Sequence, residues 1–409
     1  MSSSDFIARE DRFGARNYAP LPVVLARGEG AYLWDVEGRR YLDMMGAYSA
    51  VSHGHMHPRI VAAAKAQLAR VGVVSRAYYS DRLGSFLEKL CALSGLDRCL
   101  PMNTGAEAVE TAIKAARRWS HRVKGIPEGK AEIIVAEGNF HGRTTTIVGF
   151  SSEPSYREGF GPFAPGFVTV PFGDAAAMAA AVTAHTAAIL VEPIQGEAGI
   201  RVPPAGYLGE LRAICDRNNV LLILDEIQSG LGRTGRMFCF EHEGIRPDGL
   251  TVGKALGGGL LPVSAFLARA DVMAVFEPGS HGSTFGGNPL AAAVAEAALD
   301  TLVDEALVER SAALGETLLA RLAAVRHGAI RDVRGKGLWV GVELDPAQAP
   351  AREVCLAMMR RGVLSKETHE TVVRFAPPLV VTEAEIDHAI DVFQAALSEV
   401  APLHRASAA

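Results

Sequence analysis

The sequence predicts an α/β protein with a large domain of mainly parallel (mixed) sheet flanked by helices and a smaller α+β domain. Two observations carry this. From Leu100 to about residue 255, short and nearly continuous apolar runs alternate with helical stretches, the pattern of parallel strands covered on both faces. After residue 290 the order changes to two long helices, a strand, a helix, a strand and a last helix. The 409 residues allow roughly two to three domains. The expected division is an N-terminal segment, 1–50, packing with the small domain, a large domain over 51–290, and the small domain over 291–409.

Composition narrows the function classes. Hydrophobic residues make up 49% and charged residues 21%, as in globular proteins. A net charge of −5 argues against a nucleic-acid partner. Five cysteines, odd in number and without paired ligand spacing, point to reduced thiols and a cytoplasmic setting. Met1 to Glu10 has no apolar core of a signal peptide, and no run approaches the ~20 apolar residues of a membrane span.

Residues 1 to about 45 read as turn-rich, with a hairpin of Ala31–Asp35 and Tyr41–Asp43 turning at Glu37-Gly38. His53, His55 and His57 precede a helix expected to set Ile60, Ala64, Leu68 and Val71 on one face. No cysteine or carboxylate completes a metal set there, so these histidines read as a polar loop before the helix. Strands follow at 133–136, 167–170, 188–191 and 220–224, with helices near 105–119, 174–184 and 205–218. Beyond Pro289 come helices from 289 and from about 304, a strand at 339–344, a helix near 351–361, a strand at 371–375 and a helix near 383–398. An alanine-rich tail ends the chain.

The chemistry gathers at strand ends. Asp248 to Val252 is a short run that delivers Lys254, followed by Gly257-Gly258-Gly259. An ammonium is costly to bury unless it is paired or loses its proton, and a desolvated lysine is a nucleophile that condenses with carbonyls. Upstream, Val220 to Leu224 ends in Asp225, a carboxylate at the carboxyl edge of the sheet, where open α/β sheets bind ligands. A lysine that forms an imine and an aspartate beside a pyridinium nitrogen are the two groups that pyridoxal phosphate (PLP) needs.

Other stretches reach the same edge. Thr104-Gly105-Ala106 opens a helix and leaves free amides for an anion, or serves only as its cap. Phe140 and Arg143 follow a strand; an aromatic there can stack on a flat ring, and an arginine can hold a carboxylate by a bidentate fork. Glu192 and Glu197 add two acids. Arg374 sits in an apolar strand, where it needs a partner or a substrate anion, and Glu197 is its candidate partner. The 281–289 loop offers Ser283 and Thr284 for phosphate, or is a linker. No G-x-G-x-x-G joins a first strand to a helix, which excludes a nicotinamide dehydrogenase.

Together these stretches resemble the class III, fold-type-I PLP-dependent aminotransferases over essentially the whole chain, and within that family the ornithine δ-aminotransferase branch. The resemblance rests on Asn17-Tyr18, Tyr32 to Gly38, Tyr48 to Val51, Ser75 to Tyr79, Pro101 to Gly105, Glu192 to Gly199, Asp225 to Gln228, Gly253 to Leu256, His281 to Pro289 and Arg374 to Leu379. It implies that Lys254 holds PLP covalently and moves the substrate proton, while Asp225 keeps the pyridine nitrogen protonated. Phe140 would stack on the ring, Gln228 would bond its phenolic oxygen, and the Gly105 and Ala106 amides would cradle the phosphate. Ser283 and Thr284 would join that cradle from a partner subunit, which implies a homodimer with shared sites, with larger assemblies of dimers open.

On the same resemblance Arg143 would clamp the α-carboxylate of L-ornithine, with Tyr18 and Tyr48 at its α-amino end. Glu197 would neutralise Arg374 in the first half of a ping-pong reaction and release it to bind 2-oxoglutarate in the second. The products would be glutamate 5-semialdehyde, which cyclises to pyrroline-5-carboxylate, and L-glutamate. The sequence departs from the branch at His141, where many ornithine enzymes carry tryptophan, at Ala106 and at Phe285. Phe140-His141-Gly142-Arg143 is the form familiar from acetylornithine aminotransferases, so N-acetylornithine or another ω-amino donor is the alternative; Tyr48 stands against it, since those enzymes carry a small or aliphatic residue there. Retention of Lys254, Asp225, Arg143, Glu197 and Arg374 together argues against a non-catalytic PLP-binding module.

Overall fold

The structure, a computed structural model, describes residues 1–402; the last residues of the alanine-rich tail lie outside them. A seven-stranded sheet runs in the order Arg98–Met102, Ser264–Ala268, Gly249–Val252, Leu221–Asp225, Thr186–Val191, Glu132–Ala136, Phe167–Val170. The last five are mutually parallel, and Ser264–Ala268 runs antiparallel to both its neighbours. The central strands Thr186–Val191 and Leu221–Asp225 are buried at every position, because helices cover both faces. Their carboxyl ends therefore open onto one edge, and that edge carries the chemistry.

Two smaller sheets draw on the N-terminal and C-terminal parts of the chain. Leu25–Glu29, Tyr32–Asp35 and Arg40–Asp43 form an antiparallel meander, and Arg40–Asp43 then pairs in parallel with Val363–Leu364. The N-terminal hairpin thus joins the C-terminal part of the chain through backbone hydrogen bonds. The other sheet runs Ile330–Gly335, Val340–Leu344, Val372–Phe375, Glu367–Thr368, and its third strand carries Arg374.

Several elements differ from the sequence expectation. The turn-rich N-terminus holds a helix, Ser3–Phe13, closed by a capping box between Ser2 and Asp5; it buries no residue, so no apolar stripe could signal it. Leu83–Ser94, Leu25–Glu29, Arg98–Met102, Ser264–Ala268 and Ile330–Gly335 were not expected. In the helix Pro58–Leu68, Ile60 is buried, but Leu68 is 63% exposed and Val71, beyond the helix, is also exposed, so they do not share the buried face. His53 bonds to the Ala298 carbonyl, His55 to Asp43 and His57 to Glu305, and among the described residues no group of three or more His, Cys, Asp or Glu is placed to hold a metal ion. No helix of the described residues is long and apolar enough to cross a membrane.

Candidate active site

Asp225 closes its strand beside Thr251 of the neighbouring parallel strand. Its Oδ1 accepts from Thr251 Oγ1 at 2.9 Å and from the Ile227 amide at 3.1 Å. Its Oδ2 lies 2.6 Å from His141 Nδ1, which must donate, because a carboxylate only accepts. His141 is buried and its Nε2 has no partner. Burial works against the imidazolium, but the hydrogen bond and charge of Asp225, with the charge of Glu192, carry its pKa above the ordinary 6.5. Sequence reasoning gave His141 only as a hint of donor choice. The contact joins residues 84 apart, which no local pattern could reveal.

The raised pKa makes a testable sign. A group titrating higher in the folded state stabilises it fully below its unfolded value of about 6.5, and that contribution is lost as pH rises through the folded value. His141→Phe keeps an aromatic ring and removes the donor. Urea midpoints of the two cofactor-free proteins between about pH 5 and about pH 8 should differ most at the acid end. A gap that widens toward alkaline pH would mean the imidazolium does not bind Asp225.

Lys254 follows Gly253 directly after the strand Gly249–Val252, with φ 45°. A non-glycine residue in the left-handed region costs on the order of 1–3 kcal/mol and persists only where its surroundings enforce it. Burial pulls the Lys254 ammonium below its ordinary pKa, opposed by the charges of Glu197 and Asp225. Lys254 and Asp225 line a cavity of about 200 Å³ together with Gly105, Ala106, Phe140 and Gln228. Glu192 faces the same cavity and accepts from the Phe140 amide at 2.9 Å; burial pushes its carboxyl up to about 8, with the charge of His141 opposing.

The helix Gly105–Trp119 begins at this cavity. Thr104 and Glu107 form its capping box, and Glu107 also accepts from the Asn103 amide at 2.9 Å. The amides of Gly105 and Ala106, in the first turn, have no intrahelical acceptor, which suits an anion. A Cβ on Gly105 would stand 2.9 Å from Ile227 Cδ1, and one on Gly142 2.8 Å from Ala106 Cβ, so the backbone here is stripped of side chains where it meets the cavity wall. Free amides, an aromatic face, a buffered carboxylate and a desolvated lysine around one small cavity fit PLP.

A second constellation borders it. Arg374 Nη1 and Nη2 donate to Glu197 Oε1 and Oε2, each at 2.9 Å, and the Arg374 guanidinium lies 5.0 Å from the Tyr48 ring centroid. Arg374 is buried. Tyr48 occupies a turn in which Ala47, Tyr48 and Ser49 all have positive φ, at 47°, 57° and 71°. Gln228 Nε2 approaches the Tyr48 carbonyl at 3.5 Å. Arg143 is exposed and lies over Tyr156 at 3.6 Å and over Phe140 at 5.4 Å. Tyr18 is 81% exposed and meets Tyr48 in an adjoining apolar cavity of about 480 Å³. Ser283 and Thr284 do not reach the Lys254 cavity within one chain: Ser283 Oγ accepts from Asn103 Nδ2 at 3.0 Å and from the Gly286 amide at 2.9 Å, and Thr284 is exposed.

A mainly parallel sheet presenting a braced aspartate and a desolvated lysine to one cavity defines the site of a PLP-dependent enzyme. Comparison with known proteins agrees and narrows it. The chain belongs to the class III aminotransferases, whose family model matches residues 13–397. It is 55% identical over 390 residues to the ornithine aminotransferase of Halalkalibacterium halodurans, covering 95% of this chain and 97% of that one. The Brevibacillus brevis ornithine aminotransferase is 54% identical over 385 residues, covering 94% and 96%. Among solved structures, the Toxoplasma gondii ornithine aminotransferase matches with a TM-score of 0.96 at 43% identity, covering 98% of this chain and 95% of that chain. The acetylornithine aminotransferase of Elizabethkingia anophelis matches at 0.88 and 45%, covering 98% and 100%.

Proposed function

We propose that this transaminase moves the δ-amino group of L-ornithine to 2-oxoglutarate, giving glutamate 5-semialdehyde, which closes to pyrroline-5-carboxylate, and L-glutamate. PLP, when bound, supplies an electrophilic carbonyl and an electron sink. Lys254 Nζ, whose charged form burial disfavours, would hold the cofactor and carry the proton off and onto the substrate carbon. Asp225, braced by Thr251 and His141, would keep a proton at the pyridine nitrogen. Phe140 and Gln228 would orient the ring, and the amides of Gly105 and Ala106 would receive the phosphate.

The observation that carries the substrate reading is the bidentate Glu197–Arg374 pair. While it is closed, the site has no second free arginine to seat the α-carboxylate of a donor next to the cofactor, so a diamino acid anchored distally by Arg143, Tyr18 and Tyr48 offers its far amine. Once it opens, Arg374 can receive the α-carboxylate of 2-oxoglutarate. The ornithine aminotransferases among the relatives support the same donor. N-acetylornithine is the second reading, favoured by His141 and by the likeness to the Elizabethkingia protein.

Ser283, Thr284 and the strongly exposed Tyr78, Tyr79 and Phe285 support a second copy of the chain covering this face, with each copy completing the other's phosphate cradle. The cysteines among the described residues are all unpaired, which fits a cytoplasmic enzyme. The test is a donor panel with 2-oxoglutarate: turnover of L-ornithine with ring-closed product, well above N-acetyl-L-ornithine and 4-aminobutyrate, is expected. Preference for the acetylated donor would transfer the assignment to the second reading. Sedimentation of the same preparation should give a dimer or a multiple of it; an active monomer would rule out shared sites.

A further inference from the structure

Arg233 is fully buried, 0% exposed, and it was not singled out in the sequence. Among the described residues the acid whose charge bears on it is Asp43, which acts at a distance rather than as an ion-pair partner. Instead the guanidinium is spent on neutral acceptors. Nη1 donates to the Leu338 carbonyl at 2.9 Å and to the Pro377 carbonyl at 2.6 Å, and Nη2 donates to Ser52 Oγ at 2.9 Å. A buried charge without a counter-ion is costly, so three segments meeting on it call for an explanation beyond stability.

Each segment carries part of the substrate constellation. Pro377 lies three residues after Arg374. Leu338 precedes Trp339, whose ring backs the residue before Glu197: a Cβ on Gly196 would stand 2.6 Å from Trp339 Cζ2. Ser52 Oγ also donates to the Ser49 carbonyl at 3.1 Å, the end of the left-handed turn that carries Tyr48. The same segments touch directly, through Ala376 N to Met44 O at 2.7 Å and Leu379 N to Ser52 O at 2.7 Å, and a Cβ on Gly46 would meet the Ala376 carbonyl at 2.7 Å. Three consecutive non-glycine residues at positive φ stay there only if the surroundings over-determine them.

We propose that Arg233 is a positioning residue that locks the Tyr48 turn, the Arg374 strand and the Trp339 support of Glu197 in one register, and so sets the geometry in which Arg374 changes partner from Glu197 to a substrate carboxylate. It touches neither substrate nor cofactor. Lysine cannot replace it, because a single ammonium lacks the planar fork that reaches acceptors in separate directions. The inference rests on the reading of Glu197, Arg374 and Tyr48 given above.

The test compares Arg233→Lys and Ser52→Ala with the wild type as holoenzymes, using 2-oxoglutarate, the inert dicarboxylate glutarate as inhibitor, and whichever donor the wild type turns over fastest. Arg233→Lys should raise the KM for 2-oxoglutarate and the glutarate inhibition constant by about tenfold or more, since small misplacement of a binding group is costly. Bound cofactor per chain, read by absorbance, should stay unchanged, because Lys254 and Asp225 are held by the large sheet. Ser52→Ala cuts only the link to the Tyr48 turn and should raise the donor KM more than that of 2-oxoglutarate. Loss of kcat in proportion to lost cofactor or folded protein, with every KM unchanged, would reduce Arg233 to packing and overturn the proposal. If Arg233→Lys does not fold, the donor-selective effect of Ser52→Ala decides: present it upholds the proposal, absent it ends it. Failure of the ornithine assignment would appear in the wild-type donor panel, whereas failure of this inference appears only in variant-to-wild-type ratios.

Discussion

Lys254→Ala should lower transaminase turnover by at least about a thousandfold, since in the proposed reaction it removes both the covalent anchor and the positioned proton carrier. The loss follows from where the side chain sits. Lys254 has φ 45°, held by the turn between Gly253 and Gly258, and burial lowers its ammonium pKa. Among the described residues no second lysine lines the cavity to take its place. The check is twofold: steady-state turnover, and borohydride treatment followed by denaturation. The wild type should retain cofactor covalently after reduction and Lys254→Ala should not. A variant that keeps more than about a tenth of wild-type turnover would place the proton carrier elsewhere.

Glu197→Ala should change selectivity rather than abolish activity. Hydrogen bonds to charged groups are each worth about 1.5–3 kcal/mol, and Arg374 makes two of them with Glu197. Removing the carboxylate frees Arg374 for any α-carboxylate. The KM for 2-oxoglutarate should fall by roughly tenfold, and α-amino acids such as glutamate should gain as donors relative to ornithine. The cost appears in stability: removing one partner of a buried pair typically destabilises by about 3–5 kcal/mol.

That cost has a pH signature. Burial disfavours the Glu197 carboxylate, but the charge and hydrogen bonds of Arg374 hold its pKa below the ordinary 4.5. A depressed carboxyl contributes stability that is complete above about pH 4.5 and is lost as pH falls through the lower folded value. Wild type and Glu197→Ala should therefore converge in stability on strong acidification. An unchanged 2-oxoglutarate KM in Glu197→Ala would mean that the pair does not gate Arg374.

Much of this was legible in the sequence because the chemistry sits at strand ends. Val220 to Leu224 is apolar at every position and Gly249 to Val252 carries no charge, and such runs suit strands covered on both faces. Asp225 and Lys254 then have to emerge at the carboxyl edge. Glu197 and Arg374 were paired for a similar reason, since a charge in an apolar strand demands a partner. The helix Gly105–Trp119, with a clear apolar face, was legible at both ends. Ser3–Phe13 escaped because it buries nothing, and Ser264–Ala268 because its five residues, all buried, show no polar–apolar alternation.

The sequence by itself pointed to the parallel strands, the candidate cofactor pair and the candidate ligands of two carboxylates, since each depends on local apolar pattern or on a charge that burial would not tolerate. Only the tertiary structure decided how those groups are held. His141 braces Asp225, Glu192 faces the cavity, and Arg233 draws Ser52, Leu338 and Pro377 together. These contacts join residues 84 to 181 positions apart. They use backbone carbonyls and side chains whose identity says nothing of a partner, so they arise only when the three sheets close on one another and bring their edges into reach.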